Sequence, residues 1–447
     1  MQKYSFYYRE SLNLKSLFPQ ACKFSLLFSD EQDNLAIENG VMFLRNPETF
    51  NPSRIHSIVR VYLHKYDYFK IVVSIRCWRE GDYSLKETTQ FKSLQLFKFY
   101  RFIKKVINKI HLIPVRVHLL TEGGVSYYCC GRNLVKRQNG RLTNVGKIPR
   151  LTDPIYYEFL LYGNEAFFRT GPHIYLSSNE MRQWHLIYEG KRAIKNSMVW
   201  IEEEKALLFS EYTPGLNLCR HHLYKYYVAS GKTKKVFTFY SPKEYQNEGK
   251  TPYCRHIHVL MKDSYTGDIY MGVGDADDES AIYRSTDNGN SFTLVGSGNQ
   301  KWRTLSFIFT KENIFWNTDS PDPQYISCID RKQLNDLPIK TENVKHWPIF
   351  NSASWNSVYD AECCLYVMSA SCEGTLYDNK NRVYGIRLDN DKPTVYSLFE
   401  DESRNKEIVS RGHQLFVLGR DNEGIYWFYD TRHNYYRQFI LTRLYII

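Results

Sequence analysis

A regular alternation of short apolar strands and polar turns, beginning near Val115, is the feature that most constrains the fold of this chain. The clearest unit contains the segments HIHVLMKD, DIYMGVGD, AIYRSTD and SFTLVG, separated by turn residues at 266–267, 275–280 and 288–289. Short apolar runs bounded by Gly, Asp, Asn and Ser are typical of antiparallel strands. Four such strands form one blade of a β-propeller. A second unit follows directly, with TLSFIFTK, NIFWNTDS and YISCIDRK.

The repeat predicts an all-β fold, a seven-bladed β-propeller of four-stranded antiparallel blades over residues 115–447. Six or eight blades are the alternatives, because the first and last units are poorly marked. Pairing between terminal strands is expected to close the ring, since closure removes exposed sheet edges. The predicted blades span 115–150, 151–192, 193–250, 251–299, 300–345, 346–400 and 401–447.

The motif Ser285-x-Asp287-x-Gly289-x-x-Phe292 interrupts the strand pattern of the clearest unit. It resembles the Asp box, or BNR repeat, of sialidase-like β-propellers, in which a tight turn joins the third and fourth strands of a blade. The resemblance implies that Asp287 accepts backbone N–H groups, that Gly289 adopts a conformation closed to other residues, and that Phe292 packs between blades. These residues are therefore expected to be structural.

Weaker copies of the motif recur along the chain. Ser177-x-Asn179-x-Met181-x-x-Trp184 keeps the serine, an Asp-like asparagine and the tryptophan, and fainter copies lie at Asp330 and Asp430. Their intervals are near multiples of roughly 50 residues, as expected for repeated blades. The resemblance is sharpest over 255–321 and is to uncharacterised bacterial Asp-box propeller proteins. Sialidase activity is not expected, because KIPR at 147–150 gives no convincing version of the arginine-bearing motif of sialidases.

Propeller topology also predicts where functional side chains gather. The first strand of a blade begins at one face, called the top here, and the loop between the second and third strands returns to it. This face is expected to bind the ligand. The candidate catalytic residues there are His256, His258, Asp275, Arg303, Asp319 and Tyr212, and the candidate ligand-binding residues are Arg255, Gln300, Trp302, Glu211, Arg420 and Asp421.

His256 and His258 are two residues apart, so their side chains point to the same side of a strand. With Asp275 they could coordinate a divalent metal ion, the one cofactor that the sequence suggests. They could equally act as general base and charge stabiliser, or be hydrogen-bonded structural residues. Arg255 and Arg303 could bind a carboxylate or sulfate in two-point contact. Salt pairing of these arginines with acidic neighbours is the alternative.

Charge favours an anionic partner. The chain has 59 Lys and Arg against 48 Asp and Glu, a formal net charge of +11, and such a balance favours acidic glycans, phosphates or membrane surfaces. Nucleic acid is not expected, because the basic residues are dispersed and no recognition helix is identifiable. The ten cysteines form no CxxC pair and are expected to be reduced. A cytoplasmic location is expected by default, since the sequence shows neither a secretion signal nor a long apolar run.

Residues 1–114 do not share the repeat and are predicted to form an N-terminal mixed α/β extension. Within it, apolar residues recur at three- and four-residue intervals over 93–110, with lysine and arginine between them. This pattern predicts a basic amphipathic helix. Such helices can lie on anionic membranes, so peripheral membrane contact is one interpretation of this segment.

Three functions fit these observations. The leading hypothesis is recognition of an acidic polysaccharide at the top face. The second is catalysis at the same face, by a glycoside hydrolase or by a polysaccharide lyase. In residue types the face resembles lyases acting on uronate-containing glycans, with Arg303 as the carboxylate neutraliser and His256, His258 and Tyr212 moving the proton. The third is a membrane-associated scaffold in bacterial surface-polysaccharide assembly.

Overall fold

Strands dominate the structure, a computed structural model. It describes residues 2–7, 11–21, 23–29, 34–46, 56–62, 68–76, 83–92, 116–153, 157–178, 180–190, 196–212, 219–319, 324–348, 353–371, 380–389, 392–402, 415–430 and 435–443. The predicted basic helix at 93–110 lies outside these residues. None of the described helices combines the length and the hydropathy needed to cross a bilayer.

The N-terminal part contributes short strands and one helical turn, α1 (Leu14–Leu17). One sheet has the strand order β1-β7-β6-β3, with β1 parallel to β7, and a smaller sheet has the order β2-β5-β4. Leu14, Met42, Val59 and Val61 are buried together in a small core. The strands are β1 (Gln2–Tyr7), β2 (Ser11–Asn13), β3 (Lys23–Ser29), β4 (Leu35–Glu38), β5 (Val41–Leu44), β6 (His56–Tyr62), β7 (Tyr68–Arg76) and β8 (Tyr83–Lys92).

Consecutive antiparallel strands then pair in groups of four, each strand with the next along the chain. The first sheet contains β9 (Arg116–Glu122), β10 (Val125–Cys130), β11 (Asn133–Gln138) and β12 (Arg141–Lys147); the second contains β13 (Tyr157–Tyr162), β14 (Glu165–Thr170), β15 (His173–Ser177) and β16 (His185–Glu189); the third contains β17 (Met198–Ile201), β18 (Ala206–Ser210), β19 (His221–Tyr227) and β20 (Lys232–Phe239).

Three further sheets repeat this order, and a last sheet begins in the same way. The fourth contains β21 (Ile257–Lys262), β22 (Ile269–Val273), β23 (Ala281–Ser285) and β24 (Thr293–Ser297); the fifth contains β25 (Thr304–Phe309), β26 (Asn313–Thr318), β27 (Tyr325–Asp330) and β28 (Lys345–Pro348); the sixth contains β29 (Ala353–Asp360), β30 (Leu365–Ser371), β31 (Lys380–Asp389) and β32 (Lys392–Glu402); the last contains β33 (Leu415–Arg420), β34 (Ile425–Asp430) and β35 (Tyr435–Arg443).

Helices occur mainly in the connections between or within these sheets. The longest described helix, α2 (Pro242–Glu248), leaves the end of β20 and leads toward β21. The remaining turns of helix are of the 3₁₀ type, at Gln300–Trp302, Arg331–Asn335 and Thr341–Asn343.

Apolar clusters join each sheet to the next around a closed ring. Phe209 of the third sheet packs with Phe167 of the second. Similar clusters join the third sheet to the fourth, the fourth to the fifth, the fifth to the sixth and the sixth to the last. One cluster unites the last, first and second sheets, through Trp427, Val117 and Phe159. First strands β33 and β9 are also in contact. Successive four-stranded sheets around a closed ring define a β-propeller, and the predicted all-β propeller fold is confirmed.

The ring is closed by a strand from the N-terminal part of the chain. β8 pairs antiparallel with β35, from Tyr83 opposite Arg443 to Lys92 opposite Tyr435, and so supplies the fourth strand of the last sheet. The sequence assigned this strand to the extension before residue 115, because its separation from β35 along the chain hides the pairing. An unpaired β35 would expose a row of backbone N–H and C=O groups.

The turn that carries the Ser285 motif joins β23 to β24, the third and fourth strands of the fourth sheet. The Asp287 carboxylate accepts the backbone N–H groups of Asn290 at 3.1 Å and Ser291 at 2.9 Å. The Ser285 hydroxyl accepts the N–H of Gly289 at 2.7 Å. These are the backbone contacts that the resemblance implies for Asp287, and short side chains make such turns by capping neighbouring backbone groups.

The same turn packs against the preceding sheet. Gly289 has φ +79°, and a Cβ atom there would lie 2.7 Å from a methyl carbon of Leu208 in β18. The Phe292 ring contacts the ring of Phe237 in β20, with centroids 5.4 Å apart. The glycine is therefore required both by backbone conformation and by close approach, and the aromatic ring packs between sheets as expected.

The weaker copies behave differently. Ser177 is buried at the end of β15, Asn179 lies outside the described residues, and the Trp184 ring packs on Phe159 and Phe168 of its own sheet, each at 6.2 Å. Trp184 thus packs on two rings of its own sheet, within the cluster that unites the last, first and second sheets.

The two faintest copies are not turns of this kind. Asp330 caps the 3₁₀ helix Arg331–Asn335 by accepting the N–H of Lys332 at 2.8 Å. Asp430 ends β34, a second strand, so it lies between the second and third strands of its sheet, where it is buried near Arg437. Asp330 thus lies between the third and fourth strands of its sheet, as expected, but begins a helical connection, whereas the prediction of a motif turn at Asp430 is wrong because Asp430 follows a second strand.

Candidate functional site

Two adjacent sheets bring five of the six candidate catalytic residues to one end of their strands. His256 comes just before β21 and His258 lies within it, while Asp275 follows the antiparallel β22. Arg303 and Asp319 occupy the same places beside β25 and β26 of the next sheet, and Asp319 N–H bonds to the Arg303 carbonyl at 3.0 Å. Because antiparallel neighbours begin and end at the same edge, residues separated in sequence meet there.

Asp275 lies at the centre of a cluster of charged and ionisable side chains. We call this cluster, which consists of His256, His258, Asp275, Arg303 and Asp319, the Asp275 group. Its Oδ1 atom lies 3.0 Å from Nε2 of His256, 3.2 Å from Nε2 of His258 and 3.0 Å from Nη2 of Arg303. The same Arg303 nitrogen lies 3.0 Å from Oδ2 of Asp319. Both imidazoles are buried, with 4% and 2% of His256 and His258 exposed. The Tyr212 ring, from the preceding sheet, lies 4.6 Å from that of His256.

A tight loop holds Asp275 against the histidines. The N–H of Gly274, which has φ +87°, bonds to the carbonyl of His256 at 3.0 Å. The buried Glu279 carboxylate accepts the N–H groups of Asp275 and Ala276, each at 3.1 Å, and of Arg255 at 2.5 Å. Glu279 is therefore a positioning residue that the sequence did not single out; its spacing of four residues from Asp275 within an Asp-rich turn was the available signal.

Arg255 and Arg303, the two candidate anion-binding arginines, form ion pairs with acidic side chains. Arg303 contacts both Asp275 and Asp319, and Arg255 lies 3.5 Å from Glu279 and 4.0 Å from Asp275. The salt-pairing alternative for both arginines is therefore what the structure shows. Gln300 donates to the Asp275 carbonyl at 2.8 Å and so supports the loop.

Burial and ion pairing set the charges of the group. Burial lowers the pKa of His256, with the neighbouring His258 acting in the same direction. Burial alone would raise the pKa of Asp275, but contact with His256 and His258 holds it well below its usual range. Burial would lower the pKa of Arg303, but Asp319 and Asp275 outweigh it and raise that pKa.

Four predicted ligand-binding residues are placed elsewhere or buried. Trp302 is 0% exposed, stacks on Trp316 with ring centroids 5.3 Å apart, and donates its indole N–H to Thr341, so it belongs to the core. Glu211 is also buried and accepts the Tyr188 hydroxyl at 2.6 Å. Their neighbours in sequence, Arg303 and Tyr212, are the residues that reach the site.

Arg420 and Asp421 lie at the opposite end of the strands. Arg420 ends the first strand β33 and pairs with Asp360, which ends the first strand β29, at 3.2 Å. Asp421 accepts the indole N–H of Trp427 at 2.9 Å and the hydroxyl of Tyr128 at 3.1 Å. The error arose because the last sheet begins at Leu415, so the turn after Arg420 follows its first strand and not its second.

An aromatic surface, which was not predicted from the sequence, borders the Asp275 group. The Tyr245 and Tyr253 rings stack with centroids 3.7 Å apart and planes 7° apart. The Tyr253 hydroxyl donates to Asp278, in the Asp275 loop, at 2.8 Å. We call Tyr240, Tyr245 and Tyr253 the tyrosine platform.

Two cations flank this platform. The Arg220 guanidinium lies 5.2 Å and the Lys250 ammonium 5.6 Å from the centroid of the Tyr240 ring. Helix α2 carries Tyr245 and begins with a capping box, in which Ser241 and Glu244 bond to each other's backbone. The letters SPKE, a capping-box pattern with proline, were the signal for this insertion.

Comparisons with known proteins leave the function open. No family model and no curated protein matches the sequence. Among solved structures, a chain of the mitotic checkpoint complex has 8% identity and TM-score 0.47, covering 80% of this chain and 92% of that one. YCF48 bound to D1 peptide has 8% identity and TM-score 0.43, covering 82% and 99%. The N-terminal domain of Nup159 has 8% identity and TM-score 0.42, covering 82% and 100%. Similarity this distant carries no functional argument, and the propeller assignment rests on this chain's own sheet order.

Proposed function

We propose that this β-propeller recognises an acidic glycan at the face that carries the Asp275 group and the tyrosine platform. The observation that carries the proposal is the hydrogen bond from Tyr253 to Asp278, which joins the partly exposed tyrosine platform to the loop holding Asp275. Aromatic faces beside convergent polar groups are typical of binding sites for small polar ligands.

The platform offers a flat face to a sugar ring. Tyr245 remains 36% exposed although its ring stacks on Tyr253, so one ring face is covered and the helix presents the rest to solvent. The capping box and the left-handed C-cap at Gly249, with φ 66°, fix both ends of α2. A ring held in this way loses little conformational entropy when a ligand stacks on it.

The cations around the platform favour an acidic sugar. Arg220 pairs with Glu244 at 2.5 Å and Lys250 with Glu248 at 2.6 Å, and all four side chains are at least partly exposed. Exposed pairs of this kind contribute little to stability. A uronate carboxylate or sulfate can therefore replace the glutamates as partner at little cost. The net charge of +11 adds long-range attraction for a polyanion.

Binding is better supported than hydrolysis. A glycoside hydrolase needs two carboxylates on either side of an open space for the scissile bond. Asp275 and Asp319 instead contact the same Arg303 nitrogen, each at 3.0 Å, so the guanidinium fills the space between them. The lyase alternative is tested by product analysis of any glycan that binds, since elimination leaves an unsaturated, ultraviolet-absorbing sugar.

We also propose that the chain is a divergent Asp-box propeller. The Ser285–Phe292 turn supports this relationship, because its serine, aspartate, glycine and aromatic residues make the contacts expected of that motif. Membrane contact by residues 93–110 stays a prediction from the sequence; sedimentation with anionic vesicles, lost when Lys104 and Lys105 become Glu, would support it.

A glycan array with the full chain tests the leading proposal. We expect uronate- or sulfate-bearing oligosaccharides to bind and their neutral counterparts to fail, with binding weakened by salt. In titration calorimetry with the best acidic hit, Tyr245→Ala should lower affinity about tenfold or more. The matched control is Tyr265→Ala, which removes a tyrosine that is 58% exposed in the turn after β21, at the other end of the strands. Equal losses in both variants, or no acidic hit, would overturn the proposal.

A further inference from the structure

Two imidazole nitrogens and one carboxylate oxygen converge in a largely buried position at the start of the fourth sheet. The donor atoms of His256, His258 and Asp275 all lie within 4.8 Å of one another. We propose that these three residues bind a divalent first-row metal ion, such as Zn²⁺ or Mn²⁺. The ion goes beyond the proposed glycan recognition and does not depend on it.

The contacts in this triad are poor hydrogen bonds. Nitrogens of His256, His258 and Arg303 lie 3.0–3.2 Å from Asp275 Oδ1, yet among the described residues this oxygen accepts no hydrogen bond of acceptable angle. Buried polar atoms are normally paired. A metal cation between the donor atoms would accept their lone pairs. The neighbouring N–H groups, by contrast, do not meet Asp275 Oδ1 at angles suitable for hydrogen bonds.

The distances suit a small cation. Zinc binds imidazole nitrogen at roughly 2.0–2.1 Å and carboxylate oxygen at roughly 2.0–2.2 Å. Two ligands of a tetrahedral ion with these bond lengths are roughly 3.3–3.5 Å apart. The two nitrogen–oxygen distances of 3.0 Å and 3.2 Å are slightly shorter than this, and the ligand atoms of the two histidines lie within 4.8 Å of each other. Two nitrogen ligands and one oxygen ligand favour zinc and its neighbours over calcium or magnesium.

The backbone is arranged to hold the ligands in place. Gly274 allows the turn that returns Asp275 to His256, and Glu279 accepts the Asp275 N–H. Strand β21 has a register shift between Ile257 and Val259, so His258 lies at an irregularity that redirects its side chain. Bulges commonly re-aim a side chain at a binding or active site.

Three protein ligands leave coordination positions open for a further ligand. A bound divalent ion would outweigh the single negative charge of Asp275, while Arg303 and Asp319 offset each other. An anion would then be drawn to the ion. This last step rests on the proposed glycan recognition, whereas the metal site itself can be tested without any glycan.

Titration of Zn²⁺ into chelator-treated full-length protein is the direct test. We expect one equivalent to bind, and His258→Gln and Asp275→Asn each to lower its affinity at least tenfold. The control His185→Gln, which changes an exposed histidine in β16, should bind as the wild type does. Circular dichroism of each variant establishes that it is folded, and Zn²⁺ should raise the melting temperature of the wild type and the control only.

Cobalt reports which atoms bind. The Co²⁺ form of the wild type should show visible bands of nitrogen and oxygen coordination without a thiolate charge-transfer band. A thiolate band would assign the ion to cysteine and overturn the proposal. So would an unchanged zinc affinity in both folded variants, or the lack of any bound equivalent in the wild type.

Discussion

The backbone of Gly274 lies so close to that of Glu279 that no side chain fits between them. A Cβ atom at Gly274 would lie 2.1 Å from the Glu279 carbonyl oxygen, and the glycine has φ +87°. Both constraints come from the loop that places Asp275 beside His256, so the stability of the chain and the geometry of the site depend on one position.

Gly274→Ala is therefore expected to destabilise the protein by about 2–4 kcal/mol, from backbone strain and overpacking together. Urea unfolding measures this change. Gly298→Ala is the control, because Gly298 also has a left-handed φ of +103° but no atom within 4 Å of its added Cβ. A cost at Gly298 equal to that at Gly274 would show that contact with Glu279 contributes nothing.

Asp287→Ala should unfold more easily than the wild type, by about 0.5–1.5 kcal/mol. The substitution leaves the N–H groups of Asn290 and Ser291 without their acceptor in the turn between β23 and β24. The measurement is thermal unfolding of Asp287→Ala. The control is Asp277→Ala, which removes an exposed aspartate from another loop. The interpretation of this turn as structural fails if the two variants melt together.

His346 is expected to make stability depend on pH. Burial, with Lys301 nearby, lowers the pKa of His346 to about 4. Between about 6.5 and 4 the unfolded chain takes up the proton that the folded chain refuses, so stability is complete above about pH 6.5 and falls as the pH drops. The loss from this residue should approach about 2–3 kcal/mol at pH 4.

The contribution of His346 is measured from the unfolding free energies of the wild type and His346→Gln at pH 7.5 and pH 4.5. The wild type should lose more stability than the variant across this interval, because glutamine does not titrate. Parallel losses in the two proteins would assign the acid sensitivity to other groups.

Removal of β8 should open the ring. A chain beginning at residue 77 keeps Tyr83–Lys92 and is expected to stay monomeric, whereas one beginning at residue 93 exposes the edge of β35 and should aggregate. Both proteins lack the earlier N-terminal sheets and differ in whether β8 is present. A difference between them in size-exclusion chromatography therefore reports the effect of β8 and not of those sheets. A monomeric, cooperatively unfolding chain from residue 93 would contradict the closure described here.

Local features of the chain were predicted well because they depend on residues close in sequence. The Ser285–Phe292 turn is stabilised by side chains that bond to backbone groups within four residues. The amino-acid sequence of the turn is therefore enough to identify it. The position of the Asp275 loop, at the end of β22 that meets the start of β21, likewise follows from antiparallel order.

The misplaced residues are those decided by distant partners. Trp302 and Arg303 are neighbours, yet one stacks on Trp316 in the core and the other reaches Asp275. Arg420 was assigned to the wrong face because the start of its sheet, and hence the order of its strands, is weakly marked in the sequence.

By itself, the sequence determined the repeating sheets, the motif turn and the residue types available at one end of the strands, because hydrophobic alternation and turn chemistry are short-range. Only the tertiary structure decided that β8 completes the last sheet, that Arg303 is held between two aspartates, and that Tyr245 and Tyr253 stack beside the Asp275 loop. The physical reason is that strand pairing across the ring, ion pairing and burial depend on which surfaces meet after the chain has closed on itself.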